Sequence, residues 1–262
     1  MQEIIITTVV IGVIGLVIGI ALVAAGKKFY VAVDEKAIAV RECLPGNNCG
    51  ACGYAGCDAV AAAIAAGDAP ANACPVCSAD AVAKIGGIMG VEAEAAQRKT
   101  AQVKCSGDCE HTSAKCNYVG IEDCRAAALA GLNTESCTFG CLGYGSCVKV
   151  CTYDAIHVVN GVAKVDTSKC VGCGMCAKAC PKGLIDVVRA DRTFVVQCSN
   201  KDRGPAVKKV CSVGCLGCGA CVKQCEHDAI HVEGNLAYID YDKCVGCGKC
   251  AEKCPAKNIV RQ

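Results

Sequence analysis

Two runs of four cysteines constrain this chain more than any other feature. Cys170, Cys173, Cys176 and Cys180 are followed by Pro181, and Cys244, Cys247, Cys250 and Cys254 by Pro255. Each run closes one copy of a repeated unit. Cys137 to Pro181 aligns without a gap on Cys211 to Pro255, and 27 of the 45 positions are identical, enough to expect one local fold used twice. The chain has 28 cysteines in 262 residues, a density that would suggest a disulfide scaffold in a short secreted protein. The spacing argues otherwise, because thiols two residues apart are awkward disulfide partners. Thiolates converging on metal fit it better.

The run C-x2-C-x2-C-x3-C-P is the bacterial-ferredoxin pattern, in which three thiolates wrap a [4Fe–4S] cubane and the fourth ligates the neighbouring one. That crossing groups Cys170, Cys173 and Cys176 with Cys151. Cys180 then completes a cubane begun by Cys141 and Cys147. Tyr144 occupies the remaining standard position of that loop and cannot serve, so the nearest thiol, Cys137, is expected to substitute. In the second copy Cys215, Cys218 and Cys221 group with Cys254, and Cys244, Cys247 and Cys250 with Cys225. A rival assignment uses Cys211 and spares Cys218. Asn160-Gly161 and Gly234-Asn235 lie between short apolar runs, which predicts a β-hairpin in each copy over 156–166 and 230–240. His157 and His231 occupy equivalent hairpin positions and are read as structural, since the thiolates already suffice.

A third cysteine group precedes the repeat: Cys49, Cys52, Cys57 and Cys74, interleaved with Gly50, Gly53 and Gly56. Small residues let the backbone wrap closely around a cluster. Zinc also accepts four thiolates, but C-x2-C-x4-C with one distant cysteine fits [4Fe–4S] better than the paired C-x2-C of zinc sites. Asp58 to Ala66 predicts a helix that brings Cys74 back to close the site. Cys43 and Cys77 are left over and read as buried neighbours. The count becomes five [4Fe–4S] clusters, or six if further ligands come from Cys105, Cys109, Cys116, Cys124, Cys198 or Cys211. Val103-Lys104-Cys105-Ser106 resembles Val196-Gln197-Cys198-Ser199, so the repeat extends upstream, with 109–124 inserted in the first copy. Val82 to Lys104 reads as a helix followed by a polar linker, and Glu122 to Leu132 as a short helix.

At the other end, Ile4 to Ala25 carries no charge over 22 residues, the length of a membrane-crossing helix. Lys27 and Lys28 follow it, which places the rest of the chain on the cytoplasmic side and disfavours a cleaved signal. Gly15 and Gly19 form a G-x-x-x-G pair suited to helix contact. There is no Trp and only three Phe, so cores are thin and clusters must help hold the fold. A net charge of +2 gives no reason to expect a nucleic-acid partner. The fold class is α+β, built of small loop-rich iron–sulfur modules: an anchor over 1–28, a four-cysteine module over 29–93, a cysteine-containing linker over 94–136, and ferredoxin-like units over 137–190 and 191–262.

With these residues in view the chain resembles, end to end, the B subunit of the Rnf-type ion-translocating ferredoxin:NAD oxidoreductase. The Cys49/Cys52/Cys57/Cys74 module with its glycines is the most diagnostic part. The resemblance implies a subunit at the cytoplasmic face of the cell membrane. It would take electrons from reduced soluble ferredoxin and relay them through its [4Fe–4S] clusters to integral membrane subunits and NAD/flavin subunits of one sodium- or proton-translocating complex. It implies a translocase subunit with no complete site for NAD reduction of its own. The alternative is a membrane-tethered polyferredoxin that serves another redox partner without ion pumping.

Overall fold

The structure, a computed structural model, describes residues 2–28, 34–94, 97–131 and 135–262; the side chains of 2–5 and 7–11 also lie outside the described residues. The uncharged N-terminal stretch forms one helix, α1 (Gln2–Lys28), with Lys27 and Lys28 in its last turn. Its described apolar side chains, from Val13 to Val23, are exposed. Among the described residues no helix is long and apolar enough to cross a membrane, so the expected span is met by a helix but not by a demonstrated crossing.

Three helices build the first module: α2 (Glu35–Cys43), α3 (Cys57–Ala66) and α4 (Ala79–Met89). Each boundary has a local cause. Asp34 caps α2 by accepting from Lys36 N at 2.9 Å, and Ser78 caps α4 by accepting from Ala81 N at 3.2 Å. Gly67 ends α3 in the left-handed region, φ 83°. Val40, Val60, Ile64 and Ile85 meet in a small core, and Arg41 pairs with Asp58 at 2.6 Å to fix α2 on α3.

A strand, β1 (Lys99–Val103), lies where the sequence predicts a polar linker. Then come α5 (Cys124–Leu129), α6 (Ser146–Lys149), the hairpin β2 (Ile156–Val159) and β3 (Val162–Val165), α7 (Met175–Ala179) and β4 (Ile185–Arg189). β1 pairs antiparallel with β4, with Lys99 opposite Arg189 and Val103 opposite Ile185. Thr100 and Gln102 are buried in this pairing, and their polarity hides the strand from a hydropathy reading. α5 is shorter than expected, and Leu132 lies outside the described residues. The second unit repeats the plan with β5 (Phe194–Val196), α8 (Gly204–Val210), α9 (Ala220–Gln224), the hairpin β6 (Ile230–Glu233) and β7 (Leu236–Ile239), α10 (Lys249–Glu252) and β8 (Ile259–Arg261), where β5 pairs with β8. Both hairpins turn as expected. Asn160 and Gly161 have φ 50° and 80°, and Gly234 and Asn235 have φ 52° and 63°, the positive-φ pair of a tight hairpin turn.

Candidate iron–sulfur sites

Each cysteine loop ends in a glycine that turns the chain into a short helix. Gly145, Gly174, Gly219 and Gly248 precede α6, α7, α9 and α10 with φ between 70° and 81°. The third thiol of each loop, Cys147, Cys176, Cys221 or Cys250, then lies within the first two residues of the helix and faces inward. The hairpin closes each unit from the other side.

Three cavities follow from this arrangement. One is lined by Cys151, Cys170, Cys173 and Cys176. A second is lined by Cys215, Cys218, Cys221 and Cys254. A third is lined by Cys225, Cys244, Cys247 and Cys250. The remaining lining is apolar for the most part, including Ile156 in the first, Ile259 in the second and Ile230 in the third. Burial pushes the Cys176 and Cys221 thiols up to about 11, and neighbouring thiols push the same way. Free thiolates are disfavoured in such a place, and a cationic iron core reverses the sign. Backbone amides aim at the sulfurs: Ala101 N donates to Cys170 Sγ at 3.3 Å, Ala155 N to Cys151 Sγ at 3.4 Å, and Ala229 N to Cys225 Sγ at 3.3 Å. This donor set fits a [4Fe–4S] cubane, whose thiolates collect N–H···S bonds. Among the described residues no group of three or more His, Cys, Asp or Glu is positioned to hold a single metal ion.

The loop with Tyr144 is arranged differently. Cys124 lies beside Cys141 and Cys147, and Cys180 beside Cys141, while the expected partner Cys137 shares a separate cavity with Cys141. Burial pushes Cys147 up to about 12, with Cys141 and Cys124 beside it adding to the shift; Cys141 is raised by burial and by Cys124 and Cys180. Cys124 is delivered by α5. Asp123 caps that helix, and Ser146 links it to α6 by accepting from Cys124 N at 2.7 Å while donating to Asp123 at 2.9 Å. Tyr144 packs with Cys124, Ala127 and Leu142, its ring 5.3 Å from that of Tyr118. Sequence alone groups Cys124 with other thiols, because no spacing rule reaches across the insertion.

The other extra thiols separate. Cys137 lines a fourth cavity with Cys105, Cys198 and Cys211, and Cys141 borders it. Cys109 and Cys116 are exposed, whereas Cys124 is buried and Cys105 half-buried. His157 and His231 lie 3.6 Å and 4.0 Å from Asp154 and Asp228, outside the thiol groups.

In the first module Cys57 and Cys74 are buried, with Cys52, Cys43 and Cys77 packed around them. Asn48 Oδ1 accepts from Cys57 N at 2.7 Å, which orients the loop that carries Cys49 and Cys52. The Cys77 thiol donates to Cys74 and holds it down to about 6, while Cys77 is raised. Cys49 lies toward the first ferredoxin unit, near Cys173 and Tyr153. Asn47 Nδ2 donates to Tyr153 OH across that junction.

Comparison with known proteins agrees with these modules. A family model described as a putative Fe-S cluster matches residues 44–76, a 4Fe-4S binding domain matches 163–186, and a 4Fe-4S dicluster domain matches 214–258. The chain is 46% identical over 235 residues to the B subunit of the Na(+)-translocating ferredoxin:NAD(+) oxidoreductase complex of Acetobacterium woodii, covering 89% of this chain and 71% of that protein. It is 41% identical to the B subunit of the proton-translocating ferredoxin:NAD(+) oxidoreductase complex of Clostridium ljungdahlii, covering 92% and 85%. It is 38% identical to the B subunit of the ion-translocating oxidoreductase complex of Methanosarcina acetivorans, covering 94% of each chain.

Proposed function

The chain belongs to the family of B subunits of ion-translocating ferredoxin:NAD(+) oxidoreductase complexes, as an electron-transfer subunit, and from that premise we propose that it takes electrons from reduced ferredoxin and relays them to membrane partners. The observation that carries the relay is the set of three cavities in the ferredoxin units, each lined by four thiols in the crossed pattern. The proposed ligand sets are Cys49, Cys52, Cys57 and Cys74; Cys151, Cys170, Cys173 and Cys176; Cys215, Cys218, Cys221 and Cys254; and Cys225, Cys244, Cys247 and Cys250. For the remaining set we substitute Cys124 for Cys137 beside Cys141, Cys147 and Cys180.

The [4Fe–4S] clusters supply one-electron redox chemistry. The protein's own part is to place, insulate and tune them. Apolar cavity walls exclude water, and amides aimed at sulfur favour the more negative reduced state. Anchorage is the second element of the reading. The exposed apolar side chains of α1 need apolar surroundings, and Lys27 and Lys28 at its end favour a cytoplasmic redox portion. The names of relatives specify sodium in one case and protons in another.

Mixing the anaerobically reconstituted chain with chemically reduced ferredoxin tests this. Bleaching of the visible cluster absorbance on mixing is expected. A fully loaded chain that stays oxidised in excess reduced ferredoxin would refute the donor. A mild-detergent extract in which the chain migrates free of any membrane protein would refute the assembly.

A further inference from the structure

We propose that Cys105, Cys137, Cys198 and Cys211 hold a sixth [4Fe–4S] cluster at the junction of the two ferredoxin units. This rests on the reading of the chain as an iron–sulfur relay, and concerns four thiols which that reading leaves unused. They line one cavity together with Cys141, two of the four coming from each unit. The repeat makes them equivalent in pairs. Cys105 and Cys198 each follow a strand by two residues, after β1 and β5. Cys137 and Cys211 each open an aligned copy. The two thiols that are surplus in each unit become half of a four-thiol set when the units pack together.

The surroundings are those of ligands. Cys105 Sγ accepts from the backbone N–H of Cys141 and of Gly107. Cys198 Sγ accepts from Cys215 N at 3.3 Å and from the backbone of Asn200, the equivalent donors in the second copy. Val213 and Gly214 donate to Cys211, and Asn200 Nδ2 lies 3.5 Å from Cys137 Sγ. Asn200 is 2% exposed, so this donor is aimed into the protein. The backbone is pared back to let the sulfurs converge. A Cβ added at Gly107 would stand 3.1 Å from Cys211 Sγ and 3.9 Å from Cys105 Sγ, and one added at Gly140 would stand 3.8 Å from Cys137 Sγ.

The clamp across the junction uses backbone and one hydroxyl: Thr112 bridges to Cys211, Ser212 N donates to His111 O at 2.9 Å, and Ser106 Oγ donates to Gln197 O at 3.2 Å. The site lies beside Cys141 on one side and Cys215 on the other, between the clusters proposed for the two units.

Iron and acid-labile sulfide are counted on the full chain after anaerobic reconstitution. Six clusters give about 24 iron atoms per chain. The Cys105→Ser/Cys198→Ser variant is expected to hold about 20, with no zinc gained, while Cys109→Ser/Cys116→Ser stays at about 24. A wild-type count of about 20 overturns the sixth site and leaves the relay standing. So does a fall to about 20 in the Cys109/Cys116 variant with none in the Cys105/Cys198 variant. If the Cys105/Cys198 variant loses most of its iron by unfolding, native mass spectrometry of the wild-type chain decides: six cubanes with Cys105, Cys137, Cys198 and Cys211 shielded from alkylation support the site, and five with those thiols alkylated overturn it. A wild-type chain that binds no iron at all refutes the relay instead.

Discussion

Tyr144 shows how one residue can reroute a ligand set. It stands where the second unit has Cys218, and its ring packs against Cys124, Ala127 and Leu142. Cys124, on α5, lies beside Cys147. If Cys124 is the replacement ligand, Cys124→Ser costs about four iron atoms per chain, and adding Tyr144→Cys on that background restores them by recreating the standard loop. Iron analysis of the single and double variants checks this; no recovery in the double variant would count against the substitution. Glycines set a second test. Gly217 and Gly183 share φ +61°, but a Cβ at Gly217 would meet the Asn235 carbonyl at 2.6 Å, whereas one at Gly183 meets nothing within 4 Å. Gly183→Ala is expected to cost only the left-handed backbone penalty, roughly 1–2 kcal/mol. Gly217→Ala must also displace the second hairpin turn and should lower the midpoint of thermal cluster loss further, read from visible absorbance.

Among the elements, those with local signals were legible in the sequence and those that depend on partners were not. The hairpins were announced by Asn160-Gly161 and Gly234-Asn235, and α3 by its alanines and Asp58. β1 was not, because Thr100 and Gln102 break the apolar pattern and the strand exists only by pairing with β4, more than eighty residues on. The closeness of Cys124 to Cys141 and Cys147 was illegible for a similar reason. Its place depends on how the insertion folds over α6, through Asp123 and Ser146. β1 also has a redox consequence. Its Ala101 N–H points at Cys170 Sγ, so the strand supplies a hydrogen bond to the proposed cluster there. Removing that N–H destabilises the reduced state more than the oxidised one. Ala101→Pro should therefore lower the reduction potential of that cluster, and Ala101→Gly, which keeps the N–H, should not. Potentiometric titration followed by paramagnetic resonance separates the two; equal potentials in both variants would show that the bond does not tune the site.

At the scale of the molecule the proposed sites fall into a chain of neighbours. The first module touches the first ferredoxin unit where Cys49 nears Cys173 and Asn47 meets Tyr153. Within that unit Cys176 lies near Cys147, which links its two thiol groups. Cys105 lies beside Cys141, Cys198 beside Cys215, and Cys221 with Cys254 leads into the second unit. The junction site is thus the link in this series that draws its thiols from both ferredoxin units, and emptying it should divide the relay without dismantling either half. Three proposed clusters then lie on the N-terminal side and two on the C-terminal side. In stopped-flow reduction by ferredoxin, the wild-type chain should bleach in one dominant phase. The Cys105→Ser/Cys198→Ser variant should split into a fast and a slow phase. A fast amplitude of about three-fifths would put ferredoxin at the first module's side, and one of about two-fifths at the second unit's side. If the variant bleaches in one phase at the wild-type rate, electrons pass between the units without the junction site, and the two ferredoxin units are close enough to exchange them directly.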